Sequence, residues 1–344
     1  MERGITMASI PSNIEITDDL RYITINGITS LQKGLIMSGN TPLSIKTPRR
    51  QTMNLDGFHG SIDISWQKGT LYYDDRLLKY TFAMFIPRRI EYHETLPDIN
   101  AACESEIEDL YLWVSYLDGL SSNKTLADSG AGTYSQVKFE GMEVSKTFKN
   151  DMWILSITME FRTHPTMEPT WAYPAPSQVT TELELDGYTG RKFSFAGHNS
   201  WDDFHLYVSG PTALEDPPIK HNYMTLPFLD GNVNRGVYYE DDIISYKCIF
   251  IMDNVGTRNE MNAKCQGAVE AMMTWLYSPG GSQIGPNNLT MKGTSDLNDG
   301  ALGTFVFARC TGFSVTKSMS DLYWLLTYDI TFTAYPKIVS DQWE

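Results

Sequence analysis

Two long stretches of the chain alternate apolar and polar residues in the same order. In the first stretch, every second residue of Trp153–Phe161 is apolar, which is the period of a half-buried β-strand. Trp324–Phe332 repeats the pattern 171 positions later (324 − 153). The agreement extends without a gap over Lys138–Pro165 and Arg309–Pro336. The pattern therefore predicts one pair of terminal strands with a proline stop, used twice.

A second pair of alternating strands precedes the first. Tyr80–Ile86 and Tyr246–Met252 lie 166 positions apart (246 − 80), and each follows two tyrosines and an acidic pair. Earlier in each half, a Ser-Gly dipeptide follows a short apolar run, at Gly39 and Gly210. These landmarks keep the same order along the chain, which indicates an internal duplication.

One helix is predicted in each half. Apolar residues of Ile107–Leu117 follow helical spacing beside Trp113, and those of Val269–Leu276 do so beside Trp275, 162 positions later (275 − 113). A Gly/Ser/Asn-rich loop follows each helix. The second loop, at residues 278–303, is longer by nine residues (171 − 162) and is predicted to lack secondary structure.

These elements predict a mainly β fold with one helix per half (α+β), built as two tandem β-sandwich domains. Asn26–Gly27, Asp56–Gly57 and Asp230–Gly231 are predicted turns between strands. The predicted segments are an arm at 1–19, a first domain at 20–165, a Pro-rich linker at 166–191, a second domain at 192–336 and a tail at 337–344.

The length and net charge of the chain limit the functions that it can have. A chain of 344 residues suits two domains. The net charge of −15 argues against tight binding of nucleic acid, which needs a basic surface. No apolar run approaches the ~20 residues of a membrane helix, and the N-terminus lacks the apolar region of a secretory signal. We therefore expect a protein that folds in a cytoplasm without inserting into a membrane.

The sequence offers little that indicates catalysis. It has no phosphate-binding loop, nucleophile elbow or zinc-protease motif. Ser121–Lys124 and Ser314–Lys317 match a Ser-x-x-Lys spacing that chance explains better. His198 and His205 could form a ligand pair, although surface positions are the commoner fate of such histidines. The four cysteines lack metal-site spacing and are expected to be reduced structural thiols. We predict no enzyme activity, cofactor or metal.

Acidic residues begin the long strand of each half. They could supply a cation site or the paired carboxylates of a glycoside hydrolase. Charges at the start of a strand more often mark a solvated turn or protect a sheet edge. Because both halves carry them, a role in assembly, at a subunit contact or in a channel wall, is the prediction. The candidate residues are Asp74, Asp75, Glu240, Asp241 and Asp242.

The order of elements resembles the tail-tube fold of long-tailed bacteriophages, in particular the N-terminal ring-forming domain of distal tail proteins. The resemblance covers most of residues 20–165 and 192–336. The residues that match are Asn26–Gly27, Asp56–Gly57 with Gly60, Trp113, Trp275–Leu276, Phe161 with Pro165, and Phe332 with Pro336.

The resemblance implies a structural virion protein of the tail tip, assembled in the host cytoplasm. It would form an adaptor ring between the tail tube and the baseplate or host-recognition components, around a channel for DNA. The implied partners are other copies of the chain, the tail-tube protein, and hub, tail-fibre or receptor-binding proteins, with the tape-measure protein as a further candidate.

Two tube-like halves depart from the single such domain of distal tail proteins. Tandem halves are typical of trimeric hub proteins, in which three chains give a pseudo-sixfold ring, so a trimer and a hexamer both stay open. A trimeric hub or tail-tube protein is one alternative. Another is a carbohydrate-binding, adhesin-like β-sandwich that uses Trp66, Trp171 and Trp201, and a third is a glycan-degrading enzyme with paired acids.

Overall fold

Antiparallel strands and two long helices form most of the structure. The computed structural model describes residues 20–38, 43–49, 51–53, 62–63, 72–88, 93–118, 124–164, 173–177, 192–214, 219–225, 232–277, 287–292 and 301–335. These residues gather into two compact units. Unit 1 takes the described residues up to Thr47, those from Asp74 to His164, and Val255–Ala268; unit 2 takes the rest.

The elements follow one another along the chain in a regular order. The first part contains β1 (Ile23–Ile25), β2 (Ile28–Thr29), β3 (Ile36–Met37), β4 (Thr52–Met53), β5 (Ile62–Asp63), β6 (Arg76–Pro87), α1 (Leu96–Val114), β7 (Thr125–Asp128), β8 (Gly132–Ser135), β9 (Lys138–Lys149) and β10 (Met152–Thr163). The second part contains β11 (Lys192–Phe195), β12 (His198–Asn199), β13 (Tyr207–Leu214), β14 (Ile219–Thr225), β15 (Asn232–Tyr239), β16 (Asp242–Asp253), α2 (Arg258–Tyr277), β17 (Asn287–Lys292), β18 (Ala301–Met319) and β19 (Tyr323–Ala334).

Unit 1 contains two four-stranded antiparallel sheets, in the orders β2-β1-β7-β8 and β3-β6-β10-β9. β10 pairs with β6 and β9 over nearly its whole length, so Leu155 lies opposite both Met84 and Lys146. The alternating side chains Leu155, Ile157, Met159 and Phe161 are all fully buried. They pack in one core with the buried side of α1, as the strand period predicts.

Unit 2 contains a seven-stranded antiparallel sheet in the order β12-β11-β17-β18-β19-β16-β13. β17 and the start of β18 lie within the loop that was predicted to lack secondary structure, so that prediction is wrong for residues 287–292 and 301–303. The alternation of β17 is only a few residues long, and the strand begins with two asparagines. It becomes a strand because β11 and β18 bind it on both sides.

Each helix is fixed to the first strand of its half by a tryptophan. The Nε1 of Trp113 donates to the carbonyl of Ile25 at 3.4 Å, and the Nε1 of Trp275 donates to the carbonyl of Phe195 at 2.9 Å. Phe193 stacks on Trp275 with ring centroids 5.5 Å apart. A buried indole needs a partner for its N–H, so each bond sets the position of a helix on a sheet.

Both helices begin with a capping box, earlier than the apolar spacing predicted. The backbone N–H of Thr95 donates to Asp98 at 2.7 Å, and that of Thr257 donates to Glu260 at 2.9 Å. The first turns of α1 are largely exposed, with only Ile99 and Cys103 buried, so the apolar period there is sparse.

The Asn26–Gly27 turn is confirmed, and both residues have positive φ (51° and 76°). Ala196–Gly197 adopts the same conformation in the second part of the chain (50° and 84°). Glycine reaches this region without a Cβ penalty, which suits the second position of both turns. The predicted turns at Asp56–Gly57 and Asp230–Gly231, the proline stops, the arm and the tail lie outside the described residues. The predicted domain boundaries stay a prediction.

Phe161→Ala and Phe332→Ala are expected to cost similar free energies of unfolding, about 3–5 kcal/mol each, because both side chains are fully buried. Phe148→Ala is the control, since that ring is 39% exposed, and it should cost about 1 kcal/mol. Urea denaturation of the three variants measures the costs. A small cost for either buried ring would contradict the assigned core.

Candidate assembly surfaces

The five acidic candidates divide by burial. Asp74 and Asp75 are exposed immediately before β6, and Glu240 is half-buried before β16. Asp241 accepts from Arg309 at 2.8 Å, and both side chains are at most 15% exposed. Asp242 is buried, so the expectation of a solvated turn is wrong for this residue. Of the five candidates, Asp74 and Asp75 are the exposed ones.

In unit 1, the sheet β3-β6-β10-β9 has one polar face, which carries ion pairs. Lys79 contacts Glu160 at 2.7 Å, and Glu140 lies between Arg162 (3.1 Å) and Lys138 (3.3 Å). Burial opposes the charge of Glu140, but hydrogen bonds from the two cations outweigh it and lower the pKa of this carboxyl. The opposite charges compensate one another, so this face has no strong field of either sign.

The matching face of unit 2 consists mainly of hydroxyl groups. Ser245 and Thr331 hydrogen-bond at 3.1 Å between β16 and β19, and Thr311 and Thr333 do so at 2.9 Å between β18 and β19. Asp329 on the same face accepts from Ser314 at 3.4 Å. This is a hydrated surface that holds few charges for DNA phosphate to bind.

Both long sheets have strands with open edges. Among the described residues, β9 pairs with β10 alone along its twelve residues. Likewise, the Arg309–Met319 part of β18 pairs only with β19 in the described part of the chain. An open edge presents a row of backbone N–H and C=O groups to another chain, and a long open edge is a contact site unless it is protected.

Unit 1 contains a buried ion pair between Arg21, just before β1, and Asp128, at the end of β7. The Nε and Nη2 of Arg21 donate to both carboxylate oxygens of Asp128, at 2.8 and 2.6 Å. The hydroxyl of Tyr80 donates to the same carboxylate at 2.9 Å, and so does the backbone N–H of Gly130. Burial opposes the charge of Arg21, but the carboxylate outweighs it and raises the pKa of the guanidinium. Burial also raises the pKa of Tyr80.

This pair was not predicted from the sequence. Arg21 and Asp128 are 107 positions apart, and neither belongs to a motif. A cavity of about 330 Å³ adjoins Arg21, Ser44 and Lys79, and the buried Ser44 hydroxyl has no hydrogen-bond partner there. Both cations of its wall are held by carboxylates, Asp128 and Glu160. The cavity is therefore not arranged as an open anion site.

The cysteines and histidines noted in the sequence are buried or contact other side chains. All four cysteines are buried and none forms a disulfide, as expected for structural thiols, and burial raises the pKa of Cys248. His198 lies 3.6 Å from Asp203, whereas His205 packs against Trp201. The two histidines therefore contact different partners. Trp66 and Trp171 lie outside the described residues.

Among the described residues, no group of three or more His, Cys, Asp or Glu is placed to hold a metal ion. In the same residues, neither helix is long and apolar enough to span a membrane.

Asp128→Asn is expected to lower the free energy of unfolding by about 3–5 kcal/mol, because it leaves the buried Arg21 charge uncompensated. Glu160→Gln is the matched control at an exposed ion pair and should cost at most about 1 kcal/mol. Chemical denaturation at neutral pH measures both. Equal small costs would show that the Arg21–Asp128 pair does not stabilise unit 1.

Comparison with solved structures found a structural likeness. No protein-family model matches the chain, and no curated protein matches it. The chain is similar in structure to the SPP1 Dit (gp 19.1) protein, whose title describes "a Paradigm of Hub Adsorption Apparatus in Gram-positive Infecting Phages". The match covers 92% of this chain and 98% of that one, at 8% identity and a TM-score of 0.26. At these values neither a shared fold nor a shared function follows.

Proposed function

We propose that this protein is a structural component of a bacteriophage tail tip, which forms an adaptor ring between the tail tube and the host-recognition components. The observation that carries the proposal is the pair of long strand edges on β9 and β18, each beside a polar sheet face. Such edges favour association with another copy, and closed cyclic symmetry is the usual result of head-to-tail contacts.

Internal duplication is part of the proposal. Its support is the recurrence of the same hydrogen bonds at matching positions: Trp113 and Trp275 each donate to a backbone carbonyl just before a positive-φ turn, and both helices begin with a capping box. Trp153 and Trp324 each donate to an asparagine as well, but the acceptors Asn100 and Asn254 are not matching residues. A chain with two tube-like modules needs three copies for a ring of six modules, which favours a trimer.

The polar sheet faces suit a channel wall. Compensated ion pairs in unit 1 and hydroxyls in unit 2 would be wetted without holding phosphate, and Asp74 and Asp75 would add repulsion at one end of β6. In this proposal DNA passes through the channel without specific binding. Assembly occurs in the host cytoplasm, with the tail-tube protein and hub, fibre or receptor-binding proteins as neighbours along the axis.

The other functions have weaker support. Trp201 is half-buried against His205 and Tyr207, which is side-chain packing and not an open sugar platform. Asp241 is engaged by Arg309 and Asp242 is buried, so neither resembles an available catalytic carboxylate. The tail-tube and hub alternatives share the ring and differ in copy number and axial neighbours.

Negative-stain electron microscopy with light scattering tests the ring. We expect purified protein at micromolar concentration to form rings of discrete mass with a hole wide enough for a DNA duplex. A protein that stays monomeric over the whole accessible concentration range would contradict the proposal.

Replacing Asp74 and Asp75 by lysine tests the channel wall. Because both side chains are exposed, rings should persist, and we expect them to retain duplex DNA at low salt, with an affinity that falls as salt rises. Fluorescence anisotropy with labelled DNA measures the retention. The control is Asp118→Lys with Asp321→Lys, which makes the same charge change at exposed sites away from β6. Tight DNA binding by the unmodified ring would contradict a non-adhesive channel.

A further inference from the structure

The two helices are matched in sequence position but not in burial. Position for position, α1 and α2 differ by 162 residues (258 − 96), and this offset aligns their capping boxes and tryptophans. On α2, Asn262, Gln266 and Gly267 are buried, although none of them is apolar. On α1, the matching residues Asn100, Glu104 and Ser105 are exposed. One strip of helix surface is therefore covered on α2 and uncovered on α1.

Residues from the first half of the chain cover this strip of α2. The side-chain amide of Gln266 accepts from the backbone N–H of Ser44 at 3.1 Å and donates to the carbonyl of Ser44 at 2.9 Å. Asn259 donates to the carbonyl of Leu20 at 3.0 Å. Gly130 approaches so closely that a Cβ there would lie 3.1 Å from the Cβ of Asn262. These contacts form a built interface of backbone and amide groups.

The exposed strip of α1 carries the small side chains that such a close contact requires. Ala101 and Ser105 lie one turn apart, where α2 carries Ala263 and Gly267. Small side chains at positions four apart let another backbone approach the helix. Glu104 extends to Lys146 on β9, so the strip runs from the helix towards the open sheet edge.

We propose that Asn100, Ala101, Glu104, Ser105 and Glu108 of α1 form a docking surface for a second copy of this chain, named here the α1 strip. In the assembly, the second half of the neighbour would cover the α1 strip as residues of the first half cover α2. The inference rests on the proposed ring and deepens it by naming the surface through which copies join.

The choice of a second copy follows from the repeated module. The residues that cover α2 belong to the first of the two matching halves of the chain. They are Leu20, Ser44 and Gly130. In the proposed duplication, a chain with two modules makes this contact once within itself, so the α1 strip and the corresponding covering surface of the second half are left for a neighbour. The two surfaces would differ from each other, so copies would join head to tail. Head-to-tail contacts give closed rings where the rotation closes.

The double variant Ala101→Arg/Ser105→Arg tests the α1 strip. Both positions are exposed, so the single chain should keep its circular dichroism spectrum and thermal midpoint. We expect the concentration for half-assembly, measured by mass photometry and light scattering, to rise by about tenfold or more, because the arginines would obstruct a close contact.

Leu112→Arg is the matched control on the same helix. Leu112 is 72% exposed, and the residue that matches it on α2, Thr274, is also exposed, so it lies outside the strip. Rings should form normally with this variant.

The outcomes separate the two proposals. If the unmodified protein forms rings and the double variant assembles equally well, or if Leu112→Arg alone prevents assembly, the α1 strip is not the joining surface although the ring stands. If the unmodified protein never assembles, both the ring and the α1 strip are overturned.

Discussion

The burial of one alternating face of a long strand pair beneath a helix is the interaction on which the rest of the structure depends. In unit 1 the inward side chains of β10 are completely buried with α1, and in unit 2 those of β19 are buried in the same alternating manner. Because side chains alternate along a strand, burying one face exposes the other, and that face carries ion pairs and hydroxyls. The polar sheet faces and the helix positions are consequences of this single arrangement.

The same arrangement leaves the sheets incomplete at their edges. A helix can cover the face of a sheet but does not pair with the whole backbone of its outermost strand; on β9, Tyr111 of α1 donates to the carbonyl of Met142 at 3.3 Å. In the described part of the chain, β9 and the Arg309–Met319 part of β18 each pair with a strand on one side. Lys138, Lys146 and Lys149 on β9 make random edge pairing costly, which favours a partner that is specific in position and direction. The proposed association with other copies rests on these edges.

How much the sequence predicts depends on the length of each pattern. The two long strand pairs and the existence of both helices follow from alternation and helical spacing that extend over seven or more residues. The first turns of α1 are missing from that prediction because they are largely exposed and bury few apolar side chains, and β17 is missing because its strand character depends on its neighbours. Burial of Asp242 and the Arg21–Asp128 pair depend on contacts between distant parts of the chain, which no local pattern encodes.

The two proposed surfaces also differ in how far the sequence predicts them. Asp74 and Asp75 were found because two acidic residues recur at similar places in the sequence, although only these two of the five candidates are exposed. The α1 strip has no signal in the sequence alone, since Ala101 and Ser105 are ordinary residues of an exposed helix. It becomes visible only when the burial of each position on α1 is compared with that of its match on α2.

Hydrogen–deuterium exchange across an assembly titration tests the central claim most directly, because it observes the open edges themselves. If copies join through these sheets, the amides of β9 and of Arg309–Met319 should exchange quickly in the dilute monomer and slow down as the mass of the particle rises, while the amides of β10 stay protected throughout. A particle that gains mass while both edges exchange as quickly as before would contradict the account.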